Sequence, residues 1–289
     1  AGIYYHLSYW GRPHDYLWLT TTQPGLIYNE MRTAYDHNAR KLWIVNVHDP
    51  KVAGYQLELF LDMAWDINCV NESSIETHYL RWLCRQFGDE AGKLLFPAMK
   101  EHYKLCAQRR PEFMGWTQVE LDKKKYTRGL SPIQDTEFSI HAISEYLGRY
   151  ASISATVKKV EDIIPARLKD AYFAAILYPV LAADAHARKL LLAQKARQTD
   201  DAVAAEQSLV AYKEIKTLTE RYNNDLAGGK WRNLMSMNPR NLPVFGMPDT
   251  AYVHDSLNVS VVTDEYEYIS RNANECLSTS EGCKAIQML

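Results

Sequence analysis

Two short β-forming runs, each followed by a stretch of helical period, open the chain and restrict its fold more than anything after them. Residues 3–9 (IYYHLSY) are rich in β-branched and aromatic side chains and read as a strand. Gly11, Arg12, Pro13, His14 and Asp15 have the composition of a loop. Pro24 stands at a helix start, and Leu26, Ile27, Met31, Ala34 and Tyr35 keep a 3.6 period to about His37. Residues 41–47 (KLWIVNV) are nearly continuously apolar, the kind of strand buried on both faces in a parallel sheet. His48, Asp49 and Pro50 end it. Val52 to Trp65 is a second helix, with Tyr55, Leu59 and Met63 on one face and Leu57, Phe60, Leu61 and Ala64 around it. Strands joined by a helix and short connections are parallel, with a right-handed crossover. Two βα units do not make a stable domain, so residues 1–68 are expected to complete an α/β unit whose other strands lie upstream.

Beyond Asn68 the period is helical almost throughout. Ser73 or Ser74 caps a helix through Phe87, and Asp89 caps another through Gln108. A loop rich in Lys, Gly and Pro runs from Arg110 to Ser139. Ile140, Ile143, Leu147, Tyr150, Ile153, Val157, Val160 and Ile164 mark a long helix at steps of three and four. Arg167 to Ala196 is the next, kinked at Pro179. Thr199 or Asp200 caps the last, carried by Val203, Leu209, Ile215, Leu218, Tyr222 and Leu226 and stopped at Gly228 and Gly229. Residues 69–235 thus read as an antiparallel helical bundle. Pro239, Pro243 and Pro248 forbid helix afterwards, and Val253 to Val262 alternates like a strand. Residues 236–289 read as a linker and the beginning of a β-domain, with a further strand from Ala285 to Leu289. The expected class is α-rich with a small α/β part.

A net charge of −2 supplies no basic field for nucleic acid or anionic lipid. No apolar run approaches the roughly 20 residues of a membrane span. Tyr and Trp, at 19 and 7, outnumber the 7 Phe, which favours aromatic faces with a polar handle, suited to wet clefts that grip sugars or peptides and equally to helix packing. The five Cys include no C-x-x-C pair, and Cys276 and Cys283 are either a short bridge or two free thiols. The chain opens directly on a strand, with no charged and apolar leader, an absence that is uninformative for a segment of a longer protein.

In parallel α/β folds chemistry gathers at the carboxyl ends of the strands. The first end carries His6, Ser8, Tyr9, Trp10, Arg12, His14 and Asp15, and the second Asn46, His48 and Asp49. Aromatic rings for the apolar side of a sugar, amides and carboxylates for its hydroxyls, and Arg or His for an acidic substituent are all present. Each has a structural alternative: Asp49 and Pro50 capping the next helix, His14 and Asp15 pinning their loop. His6, His14 and His48 are a conceivable zinc set that their spacing does not specify, and unliganded His in a polar cleft is the preferred reading.

The stretch from Gly2 to Asp66 resembles the end of the catalytic barrel of glycoside hydrolase family 115. The matching residues are the G-I-Y-Y-H strand, Tyr16-Leu17-Trp18, Glu30-Met31, W-I-V-N-V with Asp49 beyond it, and F-L-D-x-A-W at Phe60 to Trp65. Arg109-Arg110-Pro111-Glu112 and Gly229-Lys230-Trp231 extend the similarity diffusely into the helices. The resemblance implies the last βα units of a (β/α)8 barrel followed by the bundle. It also implies an enzyme that removes glucuronic acid or its 4-O-methyl ether from xylan side chains by inversion, without a cofactor. By the same carry-over the main acid and base lie upstream, so this chain alone is expected to be inactive. Tyr9 and Asn46 carry over as active-site residues, with His6, Arg12 and His14 as further substrate contacts and Asp49 as a catalytic assistant. Gly11-Arg12-Pro13-His14 departs from the G-G-P-R order of other branches, which leaves the exact polymer open. A secreted or periplasmic location, a polysaccharide partner such as glucuronoxylan and a homodimer follow from the family. The competing expectation is a helical docking or dimerisation module with no catalysis of its own.

Overall fold

The computed structural model describes residues 1–8, 18–19, 21–114, 135–239 and 242–250. Tyr9, Arg12, His14, Cys276, Cys283 and both tail strands lie outside the described residues. Strand β1 (Ile3–His6) pairs in parallel with β2 (Trp43–Asn46), joined by helix α1 (Pro24–Asp36) as expected. Both strands are shorter than their apolar runs. The ladder continues one step, from Leu7 N–H to the Asn46 carbonyl at 2.9 Å. The next donor, His48 N–H, then goes to the Ser8 hydroxyl at 2.7 Å, and the pairing stops. Helix α2 (Gly54–Trp65) buries Tyr55, Leu59, Phe60 and Met63, whereas Leu61, expected in the same packing, is 53% exposed.

Five long helices follow: α3 (Ile75–Phe87), α4 (Asp89–Gln108), α5 (Ile140–Glu161), α6 (Tyr178–Thr199) and α7 (Ala202–Asn224). Each packs on the next in sequence, and α1 touches both α2 and α3. Gly92 lets α4 approach α3 closely, because a Cβ there would stand 2.6 Å from the backbone nitrogen of Cys84. Among the described residues no helix is long and apolar enough to cross a membrane.

Several helix starts differ from expectation. Ser74 precedes α3, but its hydroxyl accepts from Asn71 N–H at 2.8 Å instead of capping the helix. Gly88, with φ of 94°, occupies the position before α4, and Asp89 is already helical. Asp201, not Thr199 or Asp200, caps α7 by accepting from Ala204 N–H at 2.9 Å. Asp200 instead closes α6 in the left-handed conformation. The buried stripe of α7 is also smaller than expected, with Ala204, Ser208 and Ala211 ahead of Ile215 and Tyr222, while Val203 points to solvent. Small residues bring α7 close to α6.

The expected kink at Pro179 is a π turn, Phe173–Leu177, inserted just before it. Proline has no N–H for the carbonyl four residues back, and its ring collides with that carbonyl. One wider turn relieves the collision.

Helix α6 is buried on nearly all sides, yet it carries polar side chains inward. Three of them meet segments outside the long helices. His186 Nε2 lies 2.8 Å from the Pro111 carbonyl, and Gln194 donates to the carbonyls of Thr136 at 3.0 Å and Phe138 at 3.2 Å. The Lys189 ammonium donates to the carbonyls of Val244 at 2.8 Å and Gly246 at 3.0 Å. Asp184 accepts from the Ser154 hydroxyl of α5 at 2.9 Å and pairs with Arg188.

Burial pushes the Lys189 amine down to about 7. An unfolded lysine titrates near 10.4, so between about pH 7 and pH 10 the unfolded state holds a proton that the folded state lacks. Stability contributed through this group therefore rises with pH across that window. Urea unfolding as a function of pH should show a steeper rise for the wild type than for Lys189→Met. Equal slopes would contradict the assignment.

Candidate active site

Alternation along the two strands sorts their side chains onto two faces. Tyr5 stacks on Phe60 of α2 with ring centroids 6.0 Å apart, and Trp43 meets the same ring at 5.7 Å. Ile3, Tyr5, Trp43 and Val45 thus face the helices. Tyr4, His6, Ile44 and Asn46 face the other way, and Tyr4 and Ile44 are 59% and 47% exposed. The register pairs His6 directly with Asn46 at the carboxyl ends of the strands. The Tyr4 and His6 rings lie 4.5 Å apart. An imidazole and an amide therefore stand side by side on an open face, able to donate to and accept from neighbouring hydroxyls.

Immediately beyond, the Ser8 and His48 bond ties the two strand-end loops together. Partial burial lowers the pKa of His48, while the neighbouring Asp49 carboxylate raises it. Asp49 builds the turn into α2. Its Oδ1 accepts from Lys51 N–H at 3.0 Å, and its carbonyl accepts from Val52 at 3.2 Å and Ala53 at 3.3 Å. It does not cap α2, which begins after Ala53 without a side-chain cap.

The helical layer reaches this end of the strands. The Lys51 ammonium lies 4.4 Å from the Trp231 ring centroid, and the Lys230 ammonium lies 5.2 Å from the same ring. Desolvation lowers the pKa of Lys51, Asp49 and Asp170 oppose that shift, and Lys230 adds to it. Tyr222 of α7 is fully buried, and its hydroxyl has no hydrogen-bond partner among the described residues. Burial raises its pKa, and the Asp49 carboxylate adds to the shift.

Where the chain re-enters after the first strand-end loop, Trp18 is buried against the helices. Its backbone N–H lies 3.3 Å from a Glu112 carboxylate oxygen, and its indole N–H donates to the Tyr178 hydroxyl at 3.2 Å. That hydroxyl meets Thr219 at 3.0 Å. The Trp18 ring lies edge-on to His186 at 5.3 Å and to Phe245 at 5.5 Å. Burial holds His186 well below the usual imidazole range, an effect reinforced by Lys189.

Of the sequence candidates, the structure brings His6 and Asn46 together, and places Asp49 in the turn beyond. Tyr9, Arg12 and His14 lie outside the described residues. Sequence reasoning missed Glu112, His186, Lys189 and Tyr222. The available signal was a polar residue interrupting an apolar helix face, and for Glu112 the motif Arg109-Arg110-Pro111-Glu112. Among the described residues no three His, Cys, Asp or Glu gather as a metal site would require.

Residues 1–113 match the family model described as glycosyl hydrolase family 115. The chain is similar to BtGH115A, a solved structure described as a family GH115 4-O-methyl-α-glucuronidase with specificity for decorated arabinogalactans. Identity is 42%, the TM-score is 0.81, and the alignment covers 91% of this chain and 34% of that one. The chain thus spans about a third of the length of the solved relative. No curated protein matches. Both likenesses are to glycoside hydrolases.

The Ser8 hydroxyl bonds across from the end of β1 to the residue beyond β2, so its removal tests their coupling. Ser8→Ala leaves the His48 N–H without its partner and should cost about 1 kcal/mol of stability. Chemical denaturation measures this, and amide exchange at His48 should quicken in parallel. Unchanged exchange would show that the bond is not formed in solution.

Proposed function

We propose that the chain is part of an α-glucuronidase of glycosyl hydrolase family 115, which removes glucuronic acid or its 4-O-methyl ether from polysaccharide side chains by inversion. In this reading residues 1–68 are the last βα units of a (β/α)8 barrel and residues 69–235 a helical bundle seated against them. The observation that carries it is the His6 and Asn46 pair. It stands at the strand ends, within the stretch that matches the family and in a chain 42% identical to a 4-O-methyl-α-glucuronidase.

Inverting hydrolysis needs one carboxylic acid to protonate the leaving oxygen and one carboxylate to activate water. On this proposal both stand on earlier strands, and the present residues hold the sugar. The Asn46 amide donates to one hydroxyl and accepts from its neighbour, with His6 beside it. Tyr9, Arg12 and His14 are further substrate contacts in this reading. Asp49, already engaged with Lys51 N–H, acts as an assistant by fixing the loop. The polymer is glucuronoxylan or, as in the description of BtGH115A, a decorated arabinogalactan. Degradation of such polymers suits a secreted or periplasmic protein, and a homodimer belongs to the same reading.

The test is release of 4-O-methylglucuronic acid by the full-length protein from glucuronoxylan and from arabinogalactan. Asn46→Ala and Tyr9→Phe should each lower kcat/KM by about tenfold or more while the thermal midpoint stays nearly unchanged. The present chain on its own should release nothing above background. Full activity in both variants would make these residues scaffold, and activity of the isolated chain would refute the assignment of the acid and base.

A further inference from the structure

The Arg109-Arg110-Pro111-Glu112 motif forms no part of the strand-end site, yet one of its side chains reaches the chain that returns from it. Residues Pro111–Phe113 form a single 3-10 turn between α4 and α5. Pro111 at its first position pre-sets the backbone for that turn. Arg109 Nε donates to the Phe113 carbonyl at 2.8 Å, closing the turn from outside. The Arg109 carbonyl accepts from the Tyr146 hydroxyl of α5 at 3.3 Å, which seats it on the helices. The Arg110 guanidinium lies 4.7 Å from the Phe113 ring centroid. The Pro111 carbonyl lies 2.8 Å from His186 Nε2 of α6, and a carbonyl only accepts, so that nitrogen carries the proton.

Glu112 is thus carried by a turn that its neighbours hold in shape. It is fully buried, and one carboxylate oxygen accepts from Trp18 N–H at 3.3 Å, across 94 positions of sequence. The Trp18 ring is held from the helices as well. Its indole N–H donates to Tyr178, the first residue of α6, and its edge contacts reach His186 and Phe245. A residue held at one atom can pivot. Trp18 is held at its backbone by the turn and at its ring by α6, so its orientation is fixed as well as its position.

Trp18 follows Arg12 and His14 in sequence, at the return limb of the first strand-end loop. The outgoing limb is tied by the bond from His48 N–H to the Ser8 hydroxyl. A loop whose two ends are fixed has fewer conformations to lose when its side chains engage a substrate. The ends of this loop are therefore where affinity can be set by residues that never meet the sugar.

We propose that Glu112 is a positioning residue for substrate binding: it holds Trp18, and through Trp18 the limb of the loop that carries Arg12 and His14. The proposal rests on the reading of those two residues as substrate contacts. Glu112 itself touches no substrate. The affinity of the strand-end site then depends on a turn in the helical layer as well as on the strands.

Two conservative variants of the full-length protein test it. Glu112→Asp keeps the charge but withdraws the oxygens by one methylene, about 1.5 Å, beyond reach of Trp18 N–H. Glu112→Gln keeps an acceptor at the original reach. On 4-O-methylglucuronoxylan or a glucuronyl-decorated arabinogalactan, Glu112→Asp should raise KM about fivefold or more with kcat within about twofold, and Glu112→Gln should recover most of that loss. A lowered thermal midpoint with KM unchanged would make the role structural alone and overturn the proposal. A Glu112→Gln variant as weak as Glu112→Asp would also overturn it. Amide exchange at Trp18 reads the same bond without any substrate: it should quicken in Glu112→Asp and stay near wild type in Glu112→Gln. Unchanged exchange in Glu112→Asp overturns the positioning role even in an active glucuronidase. If the full-length protein releases no uronic acid from either polymer, the enzymatic reading fails by itself, and the exchange pattern still decides whether Glu112 holds Trp18.

Discussion

A carbonyl taken out of water must find a donor, and one helix of this chain brings side-chain donors to three separate segments. The inward polar side chains of α6 answer backbone groups in segments near Pro111, Thr136 and Val244, none of which has a ladder or long helix of its own. Leaving such a group unpaired costs more than its hydrogen bond returns when made. The irregular segments are thus held in place by what they would lose on departing. Tyr178, just past the π turn, extends the same arrangement to Trp18 and so to the chain returning from the first strand-end loop.

This explains a division of labour between the two halves. The α/β part presents polar groups on an open face. The helices hold Trp18 on one side and meet the turn after β2 through the Lys51 and Trp231 contact on the other. The strand pair itself is only four residues long on each side.

The period of apolar residues made the long helices and the parallel crossover readable, because burial repeats every 3.6 or every 2 residues whatever the neighbours are. His6 and Asn46 were readable for the same reason, being at the ends of runs whose direction was already known. What period does not show is which polar residue on a buried face has a partner. His186, Lys189 and Gln194 look like interruptions until segments remote in sequence arrive with their carbonyls. The cap of α7 was misplaced by a residue or two at Asp201, because Thr and Asp cluster there and any of them has the chemistry, and Ser74 holds the position before α3 without making the capping bond. Asp49 was read as a catalytic assistant or as a cap of the next helix; it does not cap α2, and its bonds run to residues two, three and four positions on.

The alternation along β1 and β2 writes two messages on the same few residues. Odd positions of β1 spell the packing against Phe60, and even positions spell the chemistry at the open face. Sliding either strand by a single residue would exchange them, hiding Asn46 against the helices and turning Val45 toward the cleft. Errors in folding and errors in function are therefore one event here: a copy that mispairs its strands cannot retain a good core and a bad site, or the reverse. Quality control that senses only exposed apolar surface would then also be inspecting the arrangement of the polar groups, without ever touching them.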